Sequence, residues 1–163
     1  MSEIYPIPAS FSEKAHLDEQ GYEQPYRQSV ENNEEFWAET AKRLDWISFP
    51  NKIKDVSFDK EDLHIRWYED GVLNACYNCV DRHLETRGDQ TAIIWEGDDP
   101  NRDEHISYRQ LHQRVSKMAN VFKKNGVGKG DRVAIYMPMV ADAAVAMLAC
   151  ARIGAVHSIV FGG

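Results

Sequence analysis

The last part of the chain carries two short apolar runs with a longer apolar stretch between them. Residues 132–136 and 156–161 are rich in β-branched side chains, which favours strands that are covered on both faces. The stretch between them is apolar on nearly every side, as expected of a buried helix. The pattern predicts a strand, a helix and a second strand, the beginning of an α/β fold with more faces to cover than these residues supply.

An amphipathic helix and a hairpin are predicted just upstream. Residues 91–95 and 105–107 are β-prone runs on either side of a charged loop, which is typical of a β-hairpin. Ser107 and Gln110 then have the spacing of a helix capping box. The apolar positions that recur every three or four residues after it are Leu111, Val115, Met118, Ala119 and Phe122. This helix should end near Gly126.

The middle of the chain predicts two shorter helices and one strand. Residues 34–44 have apolar side chains at helical spacing after the capping residues Asn32 and Asn33. Residues 64–68 suit an edge strand before an Asp-Gly turn. Asn74 is placed to cap a helix over residues 75–85. By contrast, residues 1–30 hold three prolines and many polar side chains, so we expect an extended arm.

Charge and composition narrow the class of protein. The 26 acidic residues against 19 Lys and Arg give a net charge of −7, which opposes binding to nucleic acid. No run approaches the roughly 18 to 20 apolar residues of a membrane span, and the first residues do not resemble a secretory signal. We therefore expect no membrane partner and a cytoplasmic location. The three cysteines, an odd number, are expected to be reduced thiols.

Several motifs resemble ligand-binding sites, but the surrounding sequence favours a structural role for each. The Gly-rich segment of residues 126–131 follows a helix and precedes a strand, the reverse of a phosphate-binding loop, so we interpret it as a turn. Cys76, Cys79 and His83 lack a second pair of metal ligands, which favours buried structural thiols. The acidic residues 96–104 match no calcium-loop spacing and suit a solvated loop. His157 is expected to be a core histidine.

The final residues Phe161, Gly162 and Gly163 are the one place where a functional reading competes with a structural one. In open parallel sheets, ligands bind beyond the carboxyl ends of strands, where glycines let the backbone approach closely. A tight turn into a following helix explains the same residues equally well. Both readings stay open on the residues alone.

Four segments together resemble one enzyme family. They are WYEDGVLNACYNCVDRH at residues 67–83, AIIWEGD at 92–98, GDRVAIYMPM at 130–139 and MLACARIGAVHSIVFGG at 147–163. These strings are similar to the N-terminal quarter of AMP-forming acetyl-CoA synthetases, which are acetate:CoA ligases of the adenylate-forming superfamily. Cys76 and Tyr68 stand where the family usually has other residues. The similarity runs from about Phe36 to the end of the chain.

The resemblance implies an organisation and a reaction. Residues 1–30 would be an N-terminal arm, 31–88 the helical N-terminal region of the family, and 89–163 the start of the AMP-binding domain. The enzyme would use ATP, CoA and Mg²⁺ to convert acetate to acetyl-AMP and then to acetyl-CoA. Phe161, Gly162 and Gly163 match the loop that packs near CoA, while no catalytic or metal-binding residue of the family maps onto this chain.

Three expectations follow from that resemblance. The chain alone should be inactive and bind no cofactor tightly, because the family's phosphate loop and catalytic lysine have no counterpart among its residues. Its packing partner should be the rest of the same polypeptide. A propionyl-CoA or other short-chain acyl-CoA synthetase fits the same residues, and a non-catalytic interaction module is the alternative outside enzymes.

Overall fold

The computed structural model describes residues 5–99 and 101–160, and the chain divides into two units. The first unit is the described part of Met1–Leu44 together with Phe49–Gly71. The second unit is Asp45–Ser48 together with the described part of Val72–Gly163. Ser48 and Val72 each donate a backbone hydrogen bond to the carbonyl oxygen of the other, so the short segment of the second unit pairs with the start of the long one.

The first unit begins with helices where an extended arm was predicted. Helix α1 covers Ala9–Ser12 and helix α2 covers Glu19–Glu31, so the prediction for residues 1–30 is wrong over these segments. Asp18 caps α2 by accepting a 2.7 Å hydrogen bond from the backbone N–H of Gly21. Pro25 lies inside α2. Side-chain capping starts this helix in spite of the proline and the polar composition.

The rest of the first unit is a helix and a hairpin. Helix α3 covers Asn33–Ala41, which confirms the predicted helix but ends it three residues early. Strands β1, Lys54–Asp59, and β2, Asp62–Trp67, pair antiparallel with Val56 opposite Ile65. The sequence predicted β2 as an edge strand and missed β1. The rings of Trp37 and Trp67 meet edge to face with centroids 5.8 Å apart.

The sequence predicted one long helix after Asn74, but the structure has three short helical segments there. Helix α4 covers Ala75–Cys79, a 3-10 turn covers Asp81–His83, and helix α5 covers Leu84–Arg87. Asn74 does cap α4, because its Oδ1 accepts a 3.1 Å hydrogen bond from the N–H of Tyr77. The break comes at Val80, whose φ of −127° is not helical and whose side chain is fully buried.

The hairpin and the long helix of the second unit agree with the sequence. Strands β3, Thr91–Glu96, and β4, Asp103–Ser107, pair antiparallel with a shift of register near Ile93. Helix α6 covers Tyr108–Lys124. Both halves of the predicted capping box between Ser107 and Gln110 are present.

The strand, helix and strand predicted near the end are confirmed. Strand β5 covers Arg132–Tyr136, helix α7 covers Ala141–Ile153 and strand β6 covers Val156–Val160. β5 and β6 pair in parallel, with Ile135 opposite Ile159. Only Gly154 and Ala155 separate α7 from β6, and Gly154 adopts the left-handed φ of +75° that ends the helix.

Helix α7 is apolar around its circumference because it packs in two directions. Its residues Val145 and Ala149 belong to a core cluster with α4, β4 and α6. Its residues Ala146 and Cys150 belong to a second cluster with β5. In these three elements, the large apolar side chains that are exposed therefore lie on the strands rather than on α7, and they are Tyr136, Val156, Ile159 and Val160.

Candidate functional site

The carboxyl edge of the β5–β6 pair is where the sequence placed a ligand. Because the two strands are parallel, both carboxyl ends meet at this edge. After β5, the carbonyl oxygen of Met139 accepts a 2.8 Å hydrogen bond from Nε1 of Trp95, which ties the edge to β3. The predicted CoA contacts Phe161, Gly162 and Gly163 follow β6 directly and lie outside the described residues.

A cleft of about 400 Å³ opens beside the other end of α7. Its walls come from the segment before the first hairpin, from α4 and the 3-10 turn, and from the last turn of α7. The lining residues are Asp45, Trp46, Ile47, Asn74, Tyr77, Asp81 and Arg152. Aromatic rings and a half-buried ion pair thus border one opening within the second unit.

The ion pair at the base of the cleft joins Asp81 to Arg152. Arg152 donates from Nη1 to Oδ1 of Asp81 at 3.1 Å and from Nη2 to Oδ2 at 2.7 Å, a two-pronged contact between half-buried side chains. Nε2 of His112 lies 3.4 Å from the same Oδ1. Nε of Arg152 is buried and has no hydrogen-bond partner among the described residues. The two-pronged contact with Asp81 fixes the orientation of the guanidinium.

Asn74 connects the same cleft to the backbone of α7. While its Oδ1 caps α4, its Nδ2 donates to the carbonyl oxygens of Ala151, at 3.1 Å, and Arg152, at 3.2 Å. Carbonyls in the last turn of a helix lack the usual helical partners, and an amide donor satisfies them. One side chain thereby closes the start of α4 and the end of α7.

Asn78 forms a reciprocal pair of hydrogen bonds with Asp45, one of the residues that line the cleft. Its Oδ1 accepts from the N–H of Asp45 at 2.9 Å, and its Nδ2 donates to the carbonyl oxygen of Asp45 at 2.9 Å. Arg82 donates to the same Oδ1 at 2.9 Å and lies 3.4 Å from Oδ2 of Asp45. Asp81 and Arg82, neighbours in the sequence, therefore make ion pairs on two sides of this region, with Arg152 and with Asp45.

The cysteines divide into two buried thiols and one exposed thiol. Cys76 and Cys150 are fully buried, as expected of structural thiols, but Cys79 is exposed, so the prediction of burial is wrong for this residue. Burial raises the pKa of the Cys76 thiol, against the opposing influence of the Arg152 guanidinium. Burial also raises the pKa of Cys150. Both buried thiols are accordingly poor nucleophiles.

The Gly-rich segment after α6 is a turn, as predicted. Gly126 and Gly130 have φ of +85° and +87°, and the N–H of Gly128 donates to Oδ2 of Asp131 at 2.8 Å. The N–H of Gly130 donates to the carbonyl oxygen of Gly154. These backbone donors bind protein acceptors rather than pointing together into an anion site.

The acidic residues, the possible metal ligands and His157 are the remaining candidates from the sequence, and none of them forms a functional cluster among the described residues. Glu96 and Glu104 lie in strands β3 and β4, so the predicted acidic loop is wrong at both ends. Glu104 forms a two-pronged contact with Arg114 of α6, which lowers the pKa of the carboxyl. Among the described residues, no group of three or more His, Cys, Asp or Glu side chains is arranged to hold a metal ion. His157 is exposed on β6, so its prediction as a core histidine is wrong.

Two features of the site were not visible in the sequence. Asp81 and Arg152 are 71 positions apart, and the second donor role of Asn74 spans 77 positions. Local spacing gives no sign of either contact.

Of the helices over residues 5–99 and 101–160, none is long and apolar enough to cross a lipid bilayer.

Two family models and one solved structure resemble the chain. The model of the acetyl-coenzyme A synthetase N-terminus matches residues 22–79, and the model of the AMP-binding enzyme family matches residues 80–163. The fold resembles the acetoacetyl-CoA synthetase from Streptomyces lividans with a TM-score of 0.75. That match covers 93% of this chain and 23% of the other at 24% identity, so it supports the fold alone.

Curated relatives match the whole chain at high identity. An acetyl-coenzyme A synthetase of Bradyrhizobium sp. (strain ORS 278) is 58% identical over 164 residues. One of Yersinia pestis (strain Pestoides F) is 59% identical over 165 residues. Each alignment covers 100% of this chain and 25% of the relative, so the chain spans a quarter of their length. By its motifs, its fold and these matches, the chain belongs to the AMP-binding enzyme family and carries the N-terminal region of acetyl-coenzyme A synthetases.

Proposed function

We propose that this chain forms part of an AMP-forming acetate:CoA ligase. The observation that carries the proposal is the identity of 58 to 59% with proteins named acetyl-coenzyme A synthetase, sustained over the entire chain. The two family models, which follow each other along the chain without a gap, support the same conclusion. We also propose a cytoplasmic location and a first domain boundary near residue 30, with the AMP-binding domain beginning near residue 89.

The reaction has two steps. A carboxylate oxygen of acetate attacks the α-phosphorus of ATP, which forms acetyl-AMP and releases pyrophosphate. The thiolate of CoA then attacks the acyl carbon and displaces AMP. ATP would enter as its Mg²⁺ complex. Phe161, Gly162 and Gly163 are our proposed contacts for CoA, and we assign no catalytic group to this chain.

The described part of the chain supports a scaffolding role in that reaction. Its polar clusters, the Asp81–Arg152 pair and the Glu104–Arg114 pair, satisfy one another. Phosphoryl chemistry instead needs charges aimed at the reacting phosphates. We therefore propose that the 163 residues alone do not form acetyl-AMP. The remainder of the same polypeptide would supply those charges and would be the packing partner of the chain.

A chimera tests the proposal. The 163 residues replace the matching quarter of the Yersinia pestis relative, and acetate-dependent exchange between ATP and pyrophosphate is measured in the chimera and in the isolated chain. We expect exchange in the chimera and none in the isolated chain. A correctly folded chimera without exchange would contradict the proposed function, and exchange by the isolated chain would contradict its scaffolding role.

The choice of acyl group needs the natural gene product, because the chimera inherits its acyl pocket from the relative. Exchange is compared with acetate and with propionate at equal concentration. Faster exchange with acetate supports the ligase as proposed. Preference for propionate would assign the chain to a short-chain relative of the same family.

A further inference from the structure

We propose that one face of the β1–β2 hairpin is a docking surface for the polypeptide that follows residue 163 in the full-length ligase. The hairpin face is formed by four apolar side chains on one side of the two strands, namely Val56, Phe58, Leu63 and Ile65. The inference rests on the proposed function, which makes the chain part of a longer polypeptide. The occupant is an apolar surface of that polypeptide.

The pairing register places the four side chains together. Phe58 lies opposite Leu63 and Val56 lies opposite Ile65, and directly opposed residues of an antiparallel pair point to the same side. Because side chains alternate along a strand, the residues between them point to the other side. Those residues are polar or charged, namely Asp55, Ser57, Asp59, Asp62, His64 and Arg66. The hairpin therefore has the pattern of a sheet that packs on one side and meets water on the other.

The apolar side of the hairpin is covered at one end and open at the other. At the covered end, Trp67 is 39% exposed and its ring meets that of Trp37 in α3. Toward the turn, the exposed fraction rises to 62% at Ile65, 68% at Leu63 and 78% at Phe58. Over the described residues, the part of the hairpin face nearest the turn is thus open to solvent.

The clustering of these side chains indicates a partner. Single exposed apolar residues are common on protein surfaces, whereas adjacent ones rimmed by charges are typical of contact surfaces. A two-stranded sheet is also only marginally stable by itself and gains stability from a neighbour on its apolar side. The hairpin face therefore has the properties of an interface rather than of a solvated loop tip.

The size of the open area favours an occupant on the same polypeptide over a second copy of the chain. Phe58, Leu63 and Ile65 together expose on the order of 400 Å² of side chain. Separate proteins that associate stably bury about 800 Å² each. A tethered segment has an effective concentration of about a millimole per litre, so a smaller area is sufficient to hold it.

The relatives contain polypeptide that could fill this role. The chain aligns with 25% of the length of the Bradyrhizobium and Yersinia pestis proteins. The family model that matches residues 22–79 is that of the acetyl-coenzyme A synthetase N-terminus. In our proposal, the occupant therefore comes from the larger part of such a protein, which would follow residue 163.

Adjacent positions on the two sides of the hairpin give a matched pair of probes. Leu63→Cys places a thiol on the hairpin face, and Asp62→Cys places one on the polar side. Leu63 is 68% exposed and the side chain of Asp62 is 78% exposed. Without an occupant, both thiols should consequently react at similar rates with a water-soluble reagent.

Thiol labelling is measured in the full-length chimera defined above and in the 163-residue chain, with the modified hairpin peptide quantified by mass spectrometry. In the chimera we expect Leu63→Cys to react at least about tenfold more slowly than Asp62→Cys. In the 163-residue chain the two rates should agree within about threefold. Equal rates in a correctly folded chimera would overturn the proposal, as would slow labelling of Leu63→Cys in the 163-residue chain.

Dilution distinguishes a tethered occupant from a second copy. Slow labelling of Leu63→Cys that is independent of the chimera concentration supports an occupant on the same polypeptide. Labelling that becomes fast on dilution would assign the hairpin face to a second copy and overturn the proposal.

Hydroxyl-radical footprinting tests the same face without a substitution. Phe58 should be oxidised about fivefold more slowly in the native chimera than in the chimera unfolded by urea, and similar rates would overturn the proposal. Neither labelling nor footprinting depends on catalysis. A chimera without pyrophosphate exchange would therefore contradict the proposed ligase function, while the protection of Leu63→Cys and Phe58 would still decide whether the hairpin face is a docking surface.

Discussion

The hydroxyl of Tyr68 donates a 2.9 Å hydrogen bond to the backbone carbonyl oxygen of Trp37, 31 residues earlier in the chain. Tyr68 holds a φ of +52°, which is unusual for a residue with a side chain. The hydrogen bond and the ring contacts of the neighbouring tryptophans keep it in this conformation. Burial raises the pKa of the hydroxyl above its ordinary value of 10.0, and the group is protonated at neutral pH with or without that shift.

Tyr68→Phe should lower the free energy of unfolding by about 1 kcal/mol, because the carbonyl of Trp37 loses a part-buried partner. Urea unfolding followed by tryptophan fluorescence measures the change. Tyr22→Phe is the matched control, since Tyr22 is exposed on α2 and should change stability by less than about 0.5 kcal/mol. Equal effects of both substitutions would contradict the role of the Tyr68 hydroxyl.

His64 should make the first unit more stable below neutral pH. Its Nε2 lies 2.8 Å from Oδ1 of Asp55 and its Nδ1 lies 3.2 Å from Oδ1 of Asp62. The hydrogen bond to Asp55 is the main cause that raises the pKa of His64 above its ordinary 6.5. A raised pKa in the folded state stabilises the fold below the unfolded pKa, and the stabilisation disappears as pH rises through the folded value.

Urea midpoints measured between about pH 5 and 8 test this. Stability of the first unit should fall as the pH rises above 6.5, and His64→Gln should remove the part of the slope that His64 contributes. His16→Gln, at an exposed position before α2, is the control and should keep the slope. The same slope in His64→Gln and the unsubstituted chain would show that the carboxylates do not act on this imidazole.

Val115 and Val121 offer the same side chain in two environments of α6. Val115 is 0% exposed in the main core cluster, whereas Val121 is 52% exposed. Val115→Ala should cost about 2 kcal/mol, from roughly 0.8 kcal/mol for each buried methylene-sized group removed plus the cavity left behind. Val121→Ala should cost less than about 0.5 kcal/mol. Thermal or urea unfolding compares the two, and similar losses would mean that α6 does not pack as described.

Thiol labelling should distinguish Cys79 from the other two cysteines. Cys79 is exposed, while Cys76 and Cys150 are fully buried and have pKa values raised by that burial. A chromogenic disulfide reagent should therefore modify one thiol quickly in the native chain and all three in denaturant. Cys79→Ser should abolish the fast phase. Rapid labelling of two or more thiols in the native chain would contradict the burial of α4 against α7.

Features encoded within a few residues were predictable, and features set by distant packing were not. The capping box of Ser107 and Gln110 lies within four positions, and the sequence shows it directly. The break of the predicted helix at Val80 depends on burying that side chain among α6 and α7, which no local pattern reveals. Helix α2 was missed because Pro25 and polar residues favour an extended chain, while the Asp18 cap is a weaker signal.

The same distinction applies to the candidate site. The parallel pairing of β5 and β6, and hence the edge that Phe161 follows, could be expected from the strand, helix and strand pattern. The Asp81–Arg152 contact could not, because any of several acids could meet that arginine. Helix α7 is buried, as its apolar sequence predicts, but the sequence does not reveal which neighbours cover each side of it.

The bridge between Ser48 and Val72 has a consequence for how the molecule could be altered. Its two backbone hydrogen bonds, 2.9 and 3.1 Å long, hold the two ends of Phe49–Gly71 side by side. A segment whose ends already meet behaves as an insertion, and insertions with adjacent ends are readily exchanged in evolution and by engineering. The segment Phe49–Gly71 thus has the end geometry of an insertion, and a short turn in its place would leave the backbone of the second unit continuous.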